Sequence, residues 1–391
     1  MKPRVCVVGV GRMETGKPML NLSHKEMLFY ATREALDDAG LERKDIGSAI
    51  TATFDFLEGR SLSNQYTLDS IGGVMKPCDL RLGEDGIYSL FAGFMEVLSD
   101  PSQIVVVASV QKASERDAQG IGYQKLIADS MEPVFSRPVC KNIPHTLSLE
   151  SILAAMEARA FMDRTGLSEE DLAAVAVKNL NAISGGGKPV LTTKAVLKSD
   201  TLSWPIRKMT RAREGDAACA IILASDKRVI GLKGDPVFVS GIGWCSDKSH
   251  LPFREPGISR ETHWAARQAY RMARVRHPEK EIDMAEVSDW YAHRELMHCE
   301  ALGLCGSDEI RICAADGRFE KEGKLPVNPS GGLLGQGNAI GTSGLLRVAQ
   351  VVDQIRGKAN GYQVNGATVG LAQSWSGIPT ASAGVAVLSK W

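Results

Sequence analysis

Residues 326–346 read PVNPSGGLLGQGNAIGTSGLL, a glycine-rich stretch that runs directly into an apolar helical pattern. Bare backbone before a helix can bind phosphate, as in the glycine-rich turn of dinucleotide-binding folds. That site needs a strand directly before the glycines and an acidic residue about 20 positions later. Here Pro326 and Pro329 interrupt the preceding segment, so we set a dinucleotide site aside. The glycines instead predict a tight, closely packed loop.

The order of secondary structure predicted around this stretch occurs twice. Residues 5–11 (VCVVGVG) predict a strand, residues 23–39 a helix that ends at Gly40, and residues 46–54 a second strand. An apolar helix from Gly86 and the buried strand QIVVVASVQKAS complete the first set. The second set comprises the strand PVFVSGIG, the helix THWAARQAYRMARV, the strand IDMAEVSDWY, the helix GTSGLLRVAQVVDQIRG and the strands ATVGLAQSW and AGVAVLS. The sequence therefore predicts a duplicated α/β fold.

The region between the halves differs from both of them. SILAAMEARAFMDRTG and SEEDLAAVAVKNLNAI predict helices, and Ser168 and Asp171 have the spacing of a capping box. The segment EGDAACAIILASDKR then predicts the last strand of the first half. We therefore predict an N-terminal half at 1–115 plus 213–235, a helical loop or lid region at 116–212 that covers the active site, and a C-terminal half at 236–391.

Composition excludes several classes of partner. Lys plus Arg and Asp plus Glu balance at 46 each, so no overall field favours nucleic acid or an anionic membrane. The eight cysteines show no C-x-x-C pair, which is typical of free thiols in a reducing compartment. No apolar stretch reaches the ~18 residues of a membrane span, and the basic N-terminus precedes a strand-like run that does not resemble a signal peptide. We expect a soluble, cytoplasmic protein.

Four motifs resemble those of the thiolase superfamily, particularly its SCP2-type (sterol-carrier or archaeal-like) branch. NPSGG with GQGNAIGTSG resembles N-P-S-G-G followed by G-H-P-I-G-A-T-G, and EVSDWY resembles E-V-H-D-C-F. VVVASVQKAS resembles the strand that ends in G-x-E-K-M, and GDAACAIILAS resembles the D-G-A-A-A-V-V-L strand. The resemblance covers nearly the whole chain.

The resemblance implies a five-layered α-β-α-β-α thiolase fold made of two duplicated halves with a helical loop insertion. It implies that acyl-CoA is the substrate, that no cofactor is permanently bound, and that the chain forms a homodimer or a larger assembly. The SCP2-type branch further implies an OB-fold/zinc-ribbon protein as partner subunit. We expect the CoA thioester to bind at Gly337, Gly341, Gly377 and His145.

The positions that carry the family's chemistry are substituted. Alignment without a gap places Gly83 at the nucleophilic cysteine, Ser288 at the histidine of H-D-C-F and Asn338 at the histidine of G-H-P. Internal duplication supports this register, because Gly83 and Asn338 each lie three residues before a helix-opening glycine. The loop QSWSGIP has no cysteine, and Cys78 lies five residues too early unless the loop is shifted. An acyl-enzyme on cysteine is therefore not supported.

The groups that remain for acid-base or hydrogen-bonding work are Glu84, Asp85, Asp289, Tyr291 and Asn338, with His145 as a further candidate. Asn338 is predicted to donate a hydrogen bond to a thioester oxygen. Glu84 or Asp85 is a general base if burial raises its pKa, although acidic residues in a first helical turn are also ordinary caps. Tyr291 is a candidate for lining the substrate pocket, although an aromatic residue at a strand end is more often part of the core, and Asp289 is consistent with a structural role.

Two functions remain open. The first is carbon–carbon bond cleavage or formation at a CoA thioester, of acyltransferase or retro-aldol type, in a complex and without the cysteine. A branch that resembles the steroid side-chain aldolases is a precedent for it. The second is a catalytically silent subunit that supports an active partner, which the joint loss of the cysteine and both histidines predicts. We expect no metal at His298 with Cys299, because adjacent helix residues point to different faces and no third ligand is apparent, and His293 lies five residues before His298.

Overall fold

The computed structural model describes residues 3–14, 16, 18–54, 67–115, 149–183, 190–248, 250–378 and 381–390. Within them the strands are β1 Val5–Glu14, β2 Ser48–Ala52, β3 Cys78–Leu82, β4 Val105–Lys112, β5 Thr201–Ser203, β6 Ile206–Arg207, β7 Asp216–Ser225, β8 Val237–Ser246, β9 Met284–Glu286, β10 Val369–Trp375 and β11 Ser382–Lys390. The helices are α1 His24–Ala39, α2 Leu68–Ile71, α3 Ile87–Ser99, α4 Leu149–Thr165, α5 Glu169–Ala182, α6 Thr193–Leu197, α7 Arg260–Ala273, α8 Pro278–Glu281, α9 Ala292–Ala301, α10 Ile310–Ala315, α11 Gly332–Gln336 and α12 Ser343–Arg356. In this part of the chain no helix has the length and apolar character needed to cross a membrane.

Nine strands pair in the order β3-β2-β4-β7-β1-β8-β11-β10-β9. From β1 outward, β7 and then β4 pair antiparallel, and β2 and β3 follow in parallel. From β8 outward, β11 and then β10 pair antiparallel, and β9 follows in parallel. A further parallel bridge joins Ala285 to Val327 at the place that corresponds to β3. The two halves therefore repeat one strand order, and they meet where β1 pairs with β8. This confirms the predicted duplicated α/β fold.

The helices and half-sheets form alternating layers. One apolar cluster joins α3 and α12 to strands of both halves, through residues such as Leu90, Val107, Val348 and Leu388. A second cluster lies between α1 and the strands of the first half. A third joins α7, α4 and α5 to the strands of the second half. The order helix, sheet, helices, sheet, helix is the five-layered arrangement that the family resemblance implied.

Glycines on the two central strands allow the outer helices to approach closely. A Cβ atom added at Gly9 or Gly11 of β1 would lie 2.1 Å from a backbone oxygen of α1. A Cβ atom at Gly241 or Gly243 of β8 would lie equally close to a backbone oxygen of α7. Any side chain at these positions would push the helix away from its strand. The duplication thus extends to a G-x-G contact that is repeated in both halves.

Local signals set the ends of the helices. Ser23 and Glu26 form a capping box at the start of α1, and Gly40 ends that helix with a φ of 68°. Ser168 and Asp171 form the predicted capping box at the start of α5. The described part of the region between β4 and β7 contains α4, α5, α6 and the hairpin β5–β6. The domain boundaries that we assign to this region remain predictions.

Candidate active site

The predicted site lies where the inner helices α3 and α12 begin. The preceding segments touch directly, because the amide of Gly86 donates to the carbonyl oxygen of Gly341 at 2.7 Å. Ser109 of β4 donates its hydroxyl to the same oxygen at 2.8 Å. A Cβ atom at Gly86 would lie 2.9 Å from that of Leu345, so a side chain would separate the two segments. The halves thus share one junction, at which the partial positive charges of two helix N-termini meet.

Asp85 bridges these two helix N-termini. Its carboxylate accepts the amide of Ile87 in α3 at 2.9 Å and the amide of Gly344 in α12 at 3.2 Å. The side chain is completely buried. Burial raises the pKa of Asp85 to about 7, against the lowering effect of its hydrogen bonds. This geometry favours the alternative that Asp85 is a helix cap, one that serves two helices at once.

Glu84 lies next to Asp85 in the chain but is less firmly held. Its side chain is partly exposed, and the hydroxyl groups of Ser376 and Ser382 lie 3.5 and 3.4 Å from its Oε2 atom. Burial raises the pKa of Glu84, and the hydrogen bonds around it lower that pKa less. A carboxylate with long hydrogen bonds and a raised pKa is suited to exchange protons. The sequence did not identify Ser376 and Ser382, because isolated serines have no diagnostic spacing.

Asn338 is fixed by its backbone while its side chain keeps an unused donor. Its amide donates to the carbonyl oxygen of Arg213 at 2.6 Å, and its carbonyl oxygen accepts from Gly215 at 3.1 Å. Its Oδ1 atom accepts from Ser343 Oγ at 3.2 Å. The residue is only 2% exposed, yet Nδ2 has no hydrogen-bond partner among the residues that the structure describes. Buried donors without a partner are rare, so this amide is available to a ligand.

The segment 288–291 leaves the sheet earlier than predicted. Strand β9 ends at Glu286, and the amide of Ser288 donates to the side chain of Gln373 at 2.9 Å. Our expected strand over 282–291 is therefore too long. Asp289 is buried and accepts the amide of Leu333 at 2.5 Å, which fixes the start of α11. Burial raises the pKa of Asp289 to about 6. These contacts give Asp289 a structural role in the glycine-rich segment.

Tyr291 belongs to a buried polar network. Its hydroxyl group donates to the carboxylate of Glu150 in α4, and Arg211 pairs with the same carboxylate at 3.3 Å. The ring stacks on Trp290 with 6.2 Å between the ring centroids. Burial raises the pKa of Tyr291, and the charge of Glu150 raises it further. The tyrosine hydroxyl is thus already engaged within the protein.

The glycines expected to bind the thioester have local packing roles. Gly337 has a φ of 108°, and a Cβ atom there would lie 2.8 Å from the Cα atom of Gly16. A Cβ atom at Gly341 would lie 2.7 Å from a side-chain oxygen of β4. Gly377 has a φ of 95° in the loop that follows β10. Packing accounts for Gly337 and Gly341 and the left-handed backbone for Gly377, and His145 lies outside the described residues.

Cysteines do not supply an activated thiol at this junction in the part of the chain that the structure describes. Cys78 begins β3, so about 17 Å of extended chain separates it from Gly83. Burial raises the pKa of Cys78, and Glu96 raises it further. Burial also raises the pKa of Cys245 on β8. High thiol pKa values disfavour the reactive thiolate. A Cβ atom at Gly83 would meet nothing within 4 Å, so this position has room for a side chain.

Two ion pairs of buried glutamates were not predicted from the sequence. Arg347 of α12 pairs with Glu286 at 3.3 Å, and Lys178 of α5 pairs with Glu295 at 3.1 Å. An arginine at a core position of an apolar helical pattern was the available signal for Arg347. Within the described ranges, no group of three or more His, Cys, Asp or Glu side chains is arranged to hold a metal ion.

Comparisons with known proteins agree with the fold. Residues 244–390 match a family model described as Thiolase C-terminal domain-like. Human sterol carrier protein 2 is 34% identical over 94% of this chain and 69% of its own length. The 17-hydroxy-3-oxo-4-pregnene-20-carboxyl-CoA lyase of Mycobacterium tuberculosis is 26% identical over 96% of this chain and 97% of the lyase. The solved Ltp2-ChsH2(DUF35) aldolase has a TM-score of 0.80 at 21% identity, over 99% of this chain and 98% of that chain, and shares the fold.

Proposed function

Because this chain belongs to the thiolase superfamily, in its SCP2-type branch, we propose that it cleaves or forms a carbon–carbon bond next to a CoA thioester without a cysteine nucleophile. Of the two reaction types, we favour the retro-aldol type. The observation on which the proposal rests is the buried, unpartnered amide of Asn338, at the position of the family's histidine. A CoA lyase among the relatives and an aldolase among the solved structures support this choice.

In the proposed cleavage, Glu84 accepts the hydroxyl proton of a 3-hydroxyacyl-CoA. The bond between carbons 2 and 3 breaks, carbon 3 leaves as an aldehyde or ketone, and the electron pair forms the enolate of the thioester. The amide of Asn338 donates a hydrogen bond to the enolate oxygen, a contact worth about 2.7–4 kcal/mol when well placed. Glu84 then returns the proton to carbon 2 and the shortened acyl-CoA is released. Aldol addition is the reverse of these steps.

Glu84 suits this role better than its neighbour. A general base works best when its pKa lies near the working pH, and burial raises the pKa of Glu84. Its long hydrogen bonds to two serines leave it free to move a proton. Asp85 also has a raised pKa, but it is completely buried and bonded to both inner helices. We therefore assign Asp85 a positioning role.

The acyltransferase type is disfavoured because it requires a thiolate that takes up the acyl group. Gly83 provides no thiol, and burial raises the pKa values of Cys78 and Cys245. Chemistry that needs only a base and a hydrogen-bond donor avoids this requirement. We further propose that Gly337, Gly341, Gly377 and His145 contact the CoA thioester, which binds as a substrate, with no permanently bound cofactor.

We also propose that the chain works as a homodimer with an OB-fold/zinc-ribbon partner subunit. The outer edge of β3 ends the strand order, and Leu80 on this strand is exposed. Met95 of the adjacent α3 is exposed as well, and so is Trp244, which stacks on Phe91 of that helix. A strand edge that has no neighbouring strand among the described residues, with Leu80 and Met95 exposed near it, suits pairing with a second copy. The solved aldolase is named for both Ltp2 and ChsH2(DUF35), which supports a second kind of subunit.

A catalytically silent subunit is the second candidate function. Three of the five proposed acid-base side chains, those of Asp85, Asp289 and Tyr291, are bonded to other groups of the protein. A chain that had lost its chemistry and kept its fold would look the same at these three positions. The candidates differ at Glu84 and Asn338, since a silent subunit has no need of a loosely held carboxylate and an unused amide.

The test is to incubate the purified chain, alone and with its co-purifying partner, with a panel of 3-hydroxyacyl-CoA and 3-ketoacyl-CoA thioesters. We expect the 3-hydroxy compounds to yield an aldehyde or ketone and a shortened acyl-CoA in equal amounts. Cys78→Ala should retain this activity. A covalent acyl adduct on any cysteine, detected by mass spectrometry, would contradict the proposal. Binding of CoA thioesters without turnover would support the silent subunit.

A further inference from the structure

The exposed face of helix α7 carries a row of basic side chains. We call this row the arginine stripe, and its exposed members are Arg260, Trp264, Arg267, Arg271 and Arg274. They follow one another at spacings of four and three residues, so they lie along one face of the helix. On the opposite face, Ala265 and Ala269 are buried. At 1.5 Å per residue the stripe is about 21 Å long.

The equivalent helix of the first half carries different charges. The G-x-G contacts align the two helices, because a Cβ atom at Gly9 would meet Ala35 and one at Gly241 would meet Ala269, 234 positions further along the chain. The other glycine of each pair gives the same offset. At this offset the counterparts of the stripe on α1 and its cap are Glu26, Tyr30, Arg33, Asp37 and Gly40. The α1 row therefore has a net charge of −1, and the stripe has +4.

Several features of the stripe are unfavourable for the helix itself. The helix dipole favours Arg271 and Arg274 near the C-terminus but disfavours Arg260 in the first turn. Arg267 and Arg271 are four residues apart, and like charges at this spacing repel. Arg274 has a φ of 63°, in the left-handed region where its counterpart is Gly40 and where a side chain is strained. Packing of the outer helix therefore does not account for the stripe.

Most of the charge of the stripe is not neutralised. Among the described residues, Arg271 and Arg274 have no ion-pair partner. The guanidinium group of Arg267 lies over the ring of Trp264, 5.0 Å from the ring centroid. Arg260 pairs with Glu255, but both side chains are about half exposed, and such a pair contributes little. The stripe is thus open to an anionic partner.

Acidic side chains bound the stripe at both ends. Glu255 pairs with Arg260 at the start of α7, and exposed Glu281 accepts the amide of Arg276 at 2.8 Å just beyond its end. A nucleic acid or an anionic membrane would extend past the stripe and meet these carboxylates. An interfacial helix also inserts an apolar face into the membrane, and the apolar face of α7 is packed in the core. The stripe therefore fits an anionic surface of limited length.

The residue types favour a protein as the partner. All the cations of the stripe are arginines, which bind carboxylates through two hydrogen bonds. Arg and Trp are enriched in protein–protein interfaces, whereas Lys is depleted. We infer that the arginine stripe binds an acidic helix of another protein, with Asp or Glu at three- and four-residue spacing along one face. This inference does not rest on the proposed function, and the stripe lies in the other half from the edge strand β3.

The experiment measures Kd by fluorescence anisotropy for two labelled, alanine-based helical peptides of about 20 residues. Both contain the same number of glutamates, which lie on one face at three- and four-residue spacing in the first peptide and around the whole helix in the second. We expect the first peptide to bind the purified chain at least about fivefold more tightly in about 50 mM NaCl.

Arg267→Glu should weaken binding of the first peptide at least about tenfold, because it places a negative charge in the middle of the stripe. Arg33→Glu is the matched control, since Arg33 is the counterpart of Arg267 and lies over the ring of Tyr30 at 5.1 Å in the same way. The control should change Kd less than about twofold. Both variants should melt within about 2 °C of the parent.

Equal Kd values for the two peptides, or equal losses in Arg267→Glu and Arg33→Glu, would overturn the inference. Absence of binding up to about 1 mM of the first peptide would overturn it as well. Vesicles with about 30% phosphatidylserine and a single-stranded oligodeoxynucleotide are measured under the same conditions. If either bound more tightly than the first peptide and lost this binding in Arg267→Glu, the stripe would belong to a lipid or nucleic-acid site and the inference would be wrong.

Discussion

The segments that precede the two inner helices occupy equivalent places in the duplicated halves, but they differ in the side-chain groups that remain free to contact a substrate. Before α3, Asp85 is buried and bonded to both helices, and Glu84 beside it is partly exposed. Before α12, the backbone of Asn338 is fixed and its side-chain amide is unused. The duplication repeats the scaffold and not the chemistry. One half offers a proton acceptor, and the other offers a hydrogen-bond donor.

The largest effect is expected at the proton acceptor. Glu84→Gln should lower kcat about 10²–10⁴-fold with little change in KM, because the amide keeps the shape of the side chain but cannot accept the proton. Steady-state kinetics with the 3-hydroxyacyl-CoA identified in the panel would measure this. Glu322→Gln, at an exposed position, is the matched control and should be neutral. Unchanged kcat in Glu84→Gln would remove Glu84 from the chemistry.

Loss of the hydrogen-bond donor Asn338 should lower kcat slightly less than loss of the proton acceptor Glu84. Asn338→Ala removes the proposed hydrogen bond to the enolate oxygen, and we expect kcat to fall about 10²–10³-fold. Asn360→Ala, at an exposed position, controls for the change of residue type. Asn338→His should recover part of the activity, since a histidine also donates. If Asn338→Ala only raised KM, the amide would contribute to binding and not to the transition state.

Asp85 should reveal its role through stability. Asp85→Ala leaves two buried backbone amides without acceptors, and we expect the apparent free energy of unfolding to fall by about 2–4 kcal/mol. Urea titrations followed by fluorescence would measure the change. Glu84→Ala, one residue away, should lower the free energy of unfolding by less than about 1 kcal/mol, because its hydrogen bonds are long. Equal decreases in the free energy of unfolding for Asp85→Ala and Glu84→Ala would contradict the different roles that we assign to the two carboxylates.

The pH dependence of the reaction provides a smaller and more specific test. Burial raises the pKa of Glu84 above the ordinary value of 4.5, and a general base works only when it is deprotonated. As pH falls through this raised pKa, kcat/KM should decrease about tenfold per pH unit. The acidic limb should disappear from the residual activity of Glu84→Gln. A limb that persists unchanged in this variant would belong to another group.

The smallest effect is expected at Gly83, the position that we predict to align with the family's nucleophile. Gly83→Cys restores the thiol at a position where a side chain has room, so the fold should tolerate it. The positions that resemble the family's histidines hold Ser288 and Asn338, so neither supplies an imidazole to activate the new thiol. We expect no acyl adduct by mass spectrometry after incubation with acyl-CoA, and a melting temperature within about 2 °C of the parent. A stable adduct would show that the surroundings still activate a thiol.

Much of the fold could be predicted because its signals are local or periodic. The apolar strands, the G-x-G pairs and the capping box at Ser168 are all visible in the chain order. The strand expected over 282–291 was too long. In the structure the backbone amide of Ser288 donates to the side chain of Gln373, which is 85 positions away and could not be identified from the sequence. Apolar character within such a segment does not show where its pairing ends.

The candidate site was harder to predict because its assignments depend on contacts between distant segments. Glu84 and Asp85 are adjacent acids with equal claims in the sequence, and only the position of Gly344 separates a cap from a partly free carboxylate. Tyr291 is a candidate in the sequence, but its hydroxyl group donates to Glu150, which lies 141 residues away in the chain. Three-dimensional partners of this kind leave no trace in residue spacing.

The hydrogen bond from Gly86 to Gly341 bears on the origin of the molecule. Each half contributes one side of that contact, so a single half has no complete junction of its own. An ancestor half as long could have formed the junction only by meeting a second copy of itself. A chain that joins two copies holds both sides of the junction within one molecule. Once the two copies were joined, each copy was free to change alone, and the equivalent positions Gly83 and Asn338 now hold different residues.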